Sequence, residues 1–200
     1  HAGIDSDQGH LILLAENMTG YKNLMKIVST GFTEGFYYKP RIDLELLEKY
    51  NEGIIALSAC LSGDIPSALL QGDYNKAKEI AAKLYNIFGK DNFFLELQMN
   101  NLEEQNLVNQ GLIKLGRELG IPLIATNDVH YLRRQDARAQ EILMCIQTGK
   151  NINDDDRMKF DSEELYLKTP DEMSELFKNI PEALENTVKV AQRCNVELEF

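Results

Sequence analysis

Asp128 and His130 are the pair in this sequence best suited to chemistry. They close the apolar run IPLIATND and its continuation VHYL, two residues apart, and in extended chain residues at that spacing project to one side. A carboxylate oxygen and an imidazole nitrogen so placed can share a divalent cation. The same spacing also serves a structural pair or a surface turn. Cys60 ends a second apolar run, GIIALSA over 53–59. A thiolate near nitrogen and oxygen donors favours zinc over manganese or magnesium, because zinc accepts all three donor types together. By residue type alone Cys60 reads equally as a small buried hydrophobe. His10 precedes a third apolar run, LILLA, and a lone histidine there fits a structural role or a ligand. Glu96 and Gln98 close a fourth run, NFFLELQ. Tyr38, Lys39 and Arg41 form an aromatic and basic cluster that suits a phosphate, or simply a solvated loop. Cys145 and Cys194 fall on amphipathic stretches and read as core. No glycine-rich phosphate loop and no GxSxG nucleophile turn occurs.

These residues must be positioned by the four apolar runs, which predict strands at 10–15, 53–59, 92–98 and 121–128. Helical spacing separates them. Leu24, Ile27, Val28 and Phe32 mark one face, and the helix stops before Pro40. A short amphipathic piece covers 43–50. Ala77, Ile80, Ala81, Leu84 and Phe88 mark a helix over 73–88. A further helix carries Leu107, Val108, Leu112, Leu115 and Leu119 and is closed by Gly120, and another carries Ala139, Ile142, Leu143 and Ile146, closed by Gly149. The Gly-Asp pairs at 63–64 and 72–73 read as turns. Alternating strand and helix predicts an α/β fold with a mainly parallel sheet or barrel, and such folds carry their sites at the carboxyl ends of the strands. After residue 150 the texture changes. A polar loop and a short strand at 164–168 lead to Thr169-Pro170-Asp171-Glu172, a capping box with proline at the first helical position. That helix is expected to bury Met173, Leu176, Phe177 and Ile180. A second runs from about Pro181 to Arg193 with Leu184, Val188 and Ala191 inward.

Composition limits the partners. The 200 residues hold 21 Lys and Arg against 32 Asp and Glu, a net charge of −11, and residues 151–200 alone carry 13 acids against 6 bases. Such a chain does not bind a polyanion by general attraction; any nucleic-acid role requires a local site, a metal or a neighbouring basic domain. No apolar run approaches the ~20 residues that cross a bilayer, and no membrane partner is expected. Three widely spaced cysteines, an odd number, fit a reducing cytoplasmic setting rather than a disulfide framework. The absence of an initiator Met suggests an excerpt.

Taken together, QGHLILLAENMTGYKNLMKIVS, GFYYKPRID, ALSACLSGDI, IPLIATNDVHYL, CIQTGK and PEALENTVKVAQRCNVELEF resemble, in order from His10 to Phe200, the N-terminal PHP domain (polymerase and histidinol phosphatase domain) of the bacterial replicative, C-family DNA polymerases, the DNA polymerase III alpha subunits. The resemblance implies an irregular, TIM-like βα barrel, its latter part in residues 1–150, with 151–200 ending the domain and forming a helical connector toward the polymerase palm. It implies a parent chain that is a DNA-directed DNA polymerase, with DNA and other replicase subunits as partners. In metal-binding members the domain holds divalent metals on His, Asp, Glu and Cys ligands and resembles a 3′–5′ exonuclease; in others it is a scaffold that docks a separate proofreading subunit. His10, Cys60, Asp128 and His130 match ligand positions, which points to the metal-binding branch and to zinc. Lys39 and Arg41 are weaker candidates for substrate contact. The family's opening HxH strand, DHG-type turn and Glu-bearing strand do not occur in this sequence, so the resemblance implies a partial barrel, a partial site and little or no exonuclease activity for this chain alone. A free-standing phosphatase is disfavoured by the C-terminal stretch, which resembles the segment leading into the palm.

Overall fold

A computed structural model describes residues 9–199. Four strands, β1 (Ile12–Ala15), β2 (Ile54–Leu57), β3 (Phe93–Gln98) and β4 (Leu123–Thr126), form one sheet in that spatial order. β2, β3 and β4 are parallel, whereas β1 runs antiparallel to β2 with Ile12 opposite Leu57 and Ala15 opposite Ile54. Helices α1 (Met18–Thr33) and α2 (Leu44–Lys49) join β1 to β2. α3 (Asp64–Leu70) and α4 (Tyr74–Phe88) lead to β3, and α5 (Glu103–Leu119) leads to β4. α6 (Ala137–Thr148), α7 (Pro170–Leu176) and α8 (Pro181–Arg193) follow. The α/β expectation holds. No closed barrel is formed among the described residues, where the sheet is open and mixed, with β1 and β4 as its edges.

Every residue of β2 and β3 is buried, as continuous apolar runs covered on both faces must be. Ile54, Ala56, Phe93, Leu95 and Leu97 face one core with Ala77, Ala81, Leu84 and Phe88 of α4 and Val108, Leu112 and Leu115 of α5. Each large apolar side chain buried there contributes about 1.5–3 kcal/mol. The alternate residues Ile55, Leu57 and Phe94, with Ile124, meet Val190 of α8 on the opposite face. α8 also covers the outer edge of β4: the Asn186 side-chain amide donates to the Leu123 carbonyl and the Thr187 hydroxyl to the Ala125 carbonyl, both at 2.8 Å. Arg193 then donates to Glu16 Oε1 at 2.9 Å and to the Asp91 carbonyl at 2.5 Å, tying the end of α8 to the sheet. Gly120 and Gly149 close α5 and α6 in the left-handed conformation, at φ 68° and 67°, and Thr169 and Glu172 form the expected capping box.

Several sequence expectations are corrected. β1 is a half-exposed edge rather than a buried strand. Residues 164–168 contribute only an isolated bridge between Tyr131 and Tyr166. The Gly63-Asp64 pair is no turn: Gly63 caps α3 and Asp64 begins it. On α1 the buried residues are Gly20, Ile27 and Gly31, while Val28 and Phe32 are exposed. The cause is backbone contact, since a Cβ on Gly20 would lie 1.8 Å from the Gly53 carbonyl oxygen; the glycine face is the one that fits against the sheet connection. On α6 Met144 and Cys145 turn inward and Ile142, Leu143 and Ile146 face outward. On α7 Leu176 is exposed, and on α8 Ala183 and Val190 are buried while Val188 and Ala191 are exposed. An apolar stripe shows that a helix is amphipathic, but not which of two adjoining faces finds a partner.

Candidate functional site

The three parallel strands end on one edge of the sheet. Because β1 is antiparallel, its amino end arrives at that same edge, and the His10 amide donates to the Ser62 carbonyl at 3.0 Å. This places the His10 ring beside Cys60, with Nδ1 3.9 Å from Sγ. The chain leaves β2 through Ala59 at φ 63° and leaves β4 through Asp128 at φ 52°, left-handed conformations that cost a non-glycine residue roughly 1–3 kcal/mol. Two such turns on one edge aim Cys60 and Asp128 over the same space. His10, Cys60 and Asp128 line a cleft of about 1640 Å³, together with Lys39 and Arg41 from the loop after α1 and Asp64 at the start of α3.

His130 stands beyond Asp128. Its Nδ1–H donates to the Asp128 carbonyl at 2.8 Å and lies 4.0 Å from Asp128 Oδ1, which leaves the lone pair of the neutral ring on Nε2. Its ring meets Phe160 edge-on at 4.6 Å.

Glu96 is the polar centre on the floor of the cleft, which it lines with Gln98 and Thr126. It is 2% exposed, and its Oε1 accepts from the Thr126 hydroxyl at 2.5 Å and from the Gln98 amide at 3.1 Å. Its backbone amide donates to Ser58 Oγ at 2.8 Å, and Oε2 makes no well-aligned hydrogen bond. Burial pushes the Glu96 carboxyl above its ordinary range, donation from Thr126 and Gln98 opposes that rise, and the charge of Asp128 adds to it. Burial likewise raises Asp64, against the pull of Lys76. Glu96 was visible in the sequence as the end of a strand, yet it did not enter the proposed ligand set. The missed signal is a carboxylate within an otherwise apolar parallel strand, where an unneeded charge is expensive. Asp64 was hidden by the turn reading of residues 63–64.

The donors therefore stand as two pairs, His10 with Cys60 and Asp128 with His130. Among the described residues no three His, Cys, Asp or Glu side chains converge closely enough to hold an ion. The donor types suit zinc, but these residues alone do not make up a complete metal site. The described residues also include no helix long and apolar enough to cross a membrane.

An α/β sheet whose strand ends deliver His, Cys and Asp to one cleft defines a class, and comparison supplies it: the PHP domain family matches residues 2–100. The chain belongs to this family in the form found in bacterial DNA polymerase III alpha subunits. It is 51% identical over 189 residues to the DNA polymerase III subunit alpha of Treponema pallidum (strain Nichols), covering 94% of this chain, and 50% identical over 186 residues to that of Borreliella burgdorferi, covering 93%. The subunit of Thermus aquaticus is 44% identical over 202 residues, covering 98% of this chain. In each case the chain spans 16% of the relative's length.

Proposed function

We propose that this chain is the PHP segment of a replicative DNA polymerase III alpha subunit, a cytoplasmic DNA-directed DNA polymerase that works with DNA and other replicase subunits. Its cleft serves metal-dependent 3′–5′ exonuclease or phosphoesterase chemistry in that parent. The observation carrying this reading is the arrival of His10, Cys60 and Asp128 at one cleft from three separate strand ends. His10, Cys60, Asp128 and His130 form part of a donor set for divalent metal, zinc by donor type, with the remaining donors in parts of the parent outside this chain. Lys39 and Arg41 face the phosphate of the substrate. The open sheet is completed toward a PHP barrel by further strands of the parent, and α7 and α8 lead on to the polymerase body. This chain alone is expected to show no exonuclease activity.

Metal analysis of the full-length parent tests the reading. The double substitution Asp128→Asn with His130→Ala is expected to lower bound zinc by at least one ion per chain, and unchanged metal content would overturn it. A second reading, a non-catalytic scaffold that braces the polymerase and docks a proofreading subunit, draws on the lack of a three-donor cluster among the described residues. Degradation of a DNA 3′ end by the full-length parent in zinc or manganese, abolished by chelator, separates the two; a scaffold gives none.

A further inference from the structure

The charge of this chain is unevenly spread. Residues 18–41, comprising α1 and the loop after it, hold Lys22, Lys26, Lys39 and Arg41 against Glu34 alone, a net of +3 within a chain of −11. The loop at the end of this basic stretch has a built form. Gly35 lets the Arg41 carbonyl approach where a Cβ would stand 2.1 Å from its oxygen. The Tyr37 amide donates to the Lys39 carbonyl at 3.1 Å, and Tyr38 between them is held at φ 60°. The turn so formed turns two tyrosine rings outward. Tyr37 and Tyr38 are 53% and 74% exposed, meet edge-on with centroids 4.7 Å apart, and the Arg41 guanidinium lies 5.3 Å from the Tyr37 ring centre. Lys39 and Arg41 line the same cleft as His10, Cys60 and Asp128.

We propose that this loop is a stacking platform for single-stranded DNA entering the cleft: Tyr37 and Tyr38 stack on the last bases of the strand while the basic residues beside them follow its phosphates. Exposed aromatic rings next to cationic side chains along a groove are how sequence-tolerant single-strand binding is built, because every base has a π face and every nucleotide a charge. Duplex DNA offers no free base faces to these rings. A protein partner would equally cover the exposed Phe32 and Phe36 nearby, but it would not call for cations in an acidic chain. The local excess of positive charge favours the polyanion. This inference deepens the proposed phosphodiester chemistry and rests on that reading for its choice of strand end, while the binding itself can be read without turnover.

The test uses the full-length parent and an oligothymidylate carrying 5-iodouracil at its last two positions, photocrosslinked and mapped by mass spectrometry. Crosslinks are expected on the peptide bearing Tyr37 and Tyr38, falling about tenfold in the Tyr37→Ala, Tyr38→Ala double variant and surviving in the Phe, Phe variant, which keeps the rings. Duplex of the same sequence is expected to give none there. Absence of crosslinks from 36–41, or equal crosslinking in the Ala variant, would overturn the platform, as would protein–protein crosslinks that occupy the loop instead. Hydrolysis of bis-p-nitrophenyl phosphate, which has no bases to stack, is measured in parallel. Loss of that hydrolysis to begin with counts against the phosphodiesterase reading alone, whereas hydrolysis without loop crosslinks counts against the platform alone.

Discussion

At the scale of single residues, this fold depends on places where backbone meets backbone. Gly20 and Gly53 lie in contact, and Gly53 itself has φ 69° with Asn17 Oδ1 2.7 Å from where a Cβ would be. Asn17 is also the cap of α1, accepting from the Gly20 amide at 3.1 Å, so one small junction sets both the start of α1 and its seat on the chain entering β2. Gly20→Ala drives a methyl into a carbonyl that cannot move aside and is expected to cost about 3 kcal/mol, the upper end of overpacking penalties. Gly111→Ala meets only the Leu69 side chain, its methyl groups at 2.8 Å and its Cγ at 3.2 Å, which can shift more readily than a backbone carbonyl, and should cost less. Urea denaturation of the two variants checks the order; equal losses would mean that the α1 junction is softer than its contacts imply. Glu96 belongs to this scale as well. Its position at the end of β3 was legible, but its environment was not, because the hydroxyl of Thr126 reaches it from a strand 30 residues later.

At the scale of elements, α7 shows how a local motif becomes a pH-dependent one. Its capping box was readable from Thr169-Pro170-Asp171-Glu172. Only the fold adds the Tyr166 hydroxyl, which donates to Glu172 Oε1 at 2.6 Å. With that bond first, and the Thr169 amide and hydroxyl after it, the Glu172 carboxyl is held down at about 2 from an ordinary 4.5, while the same bond pushes Tyr166 up to about 12. A depressed carboxyl stabilises the fold fully above its unfolded value, and that contribution is lost as pH falls from about 4.5 toward 2. A raised phenol stabilises below 10 and loses its contribution as pH rises toward 12. Glu172→Gln should therefore lower Tm at pH 7 and leave it nearly unchanged near pH 2, with the two Tm profiles converging across the acid range. A constant gap between them would show that Glu172 acts through packing rather than charge. α8 makes the complementary point. Its bounds were read closely, from Pro181 to Arg193, yet its role as cover for the β4 edge was invisible, since Asn186 and Thr187 bond to carbonyls more than 60 residues away.

At the scale of the whole molecule, burial is concentrated in the two central strands. β2 and β3 are enclosed on both faces, whereas β1 is a half-exposed edge and α6 carries Ile142, Leu143 and Ile146 outward. Native-state hydrogen exchange is expected to follow that gradient: amides of Ala56, Ser58, Leu95 and Leu97, which point between the parallel strands, exchange last, and those of β1 and α6 exchange early. Exchange of β1 at the rate of β2 would show instead that the sheet opens as one unit.

The sequence by itself determined the alternation of strand and helix, the helix stops at Gly120 and Gly149, the capping of α7 and the family, because each rests on spacing, turn chemistry or word-like stretches of adjoining residues. It also determined that Asp128 and His130 share a strand end. Only the tertiary structure decided that β1 runs antiparallel, which is what carries His10 to Cys60. It alone decided that the sheet stays open among the described residues, that the glycine face of α1 is the buried one, and that Glu96 lies nearly fully buried on the floor of the cleft. These facts depend on contacts between residues tens of positions apart, and a one-dimensional pattern records the periodicity of a face but not the identity of the surface that meets it.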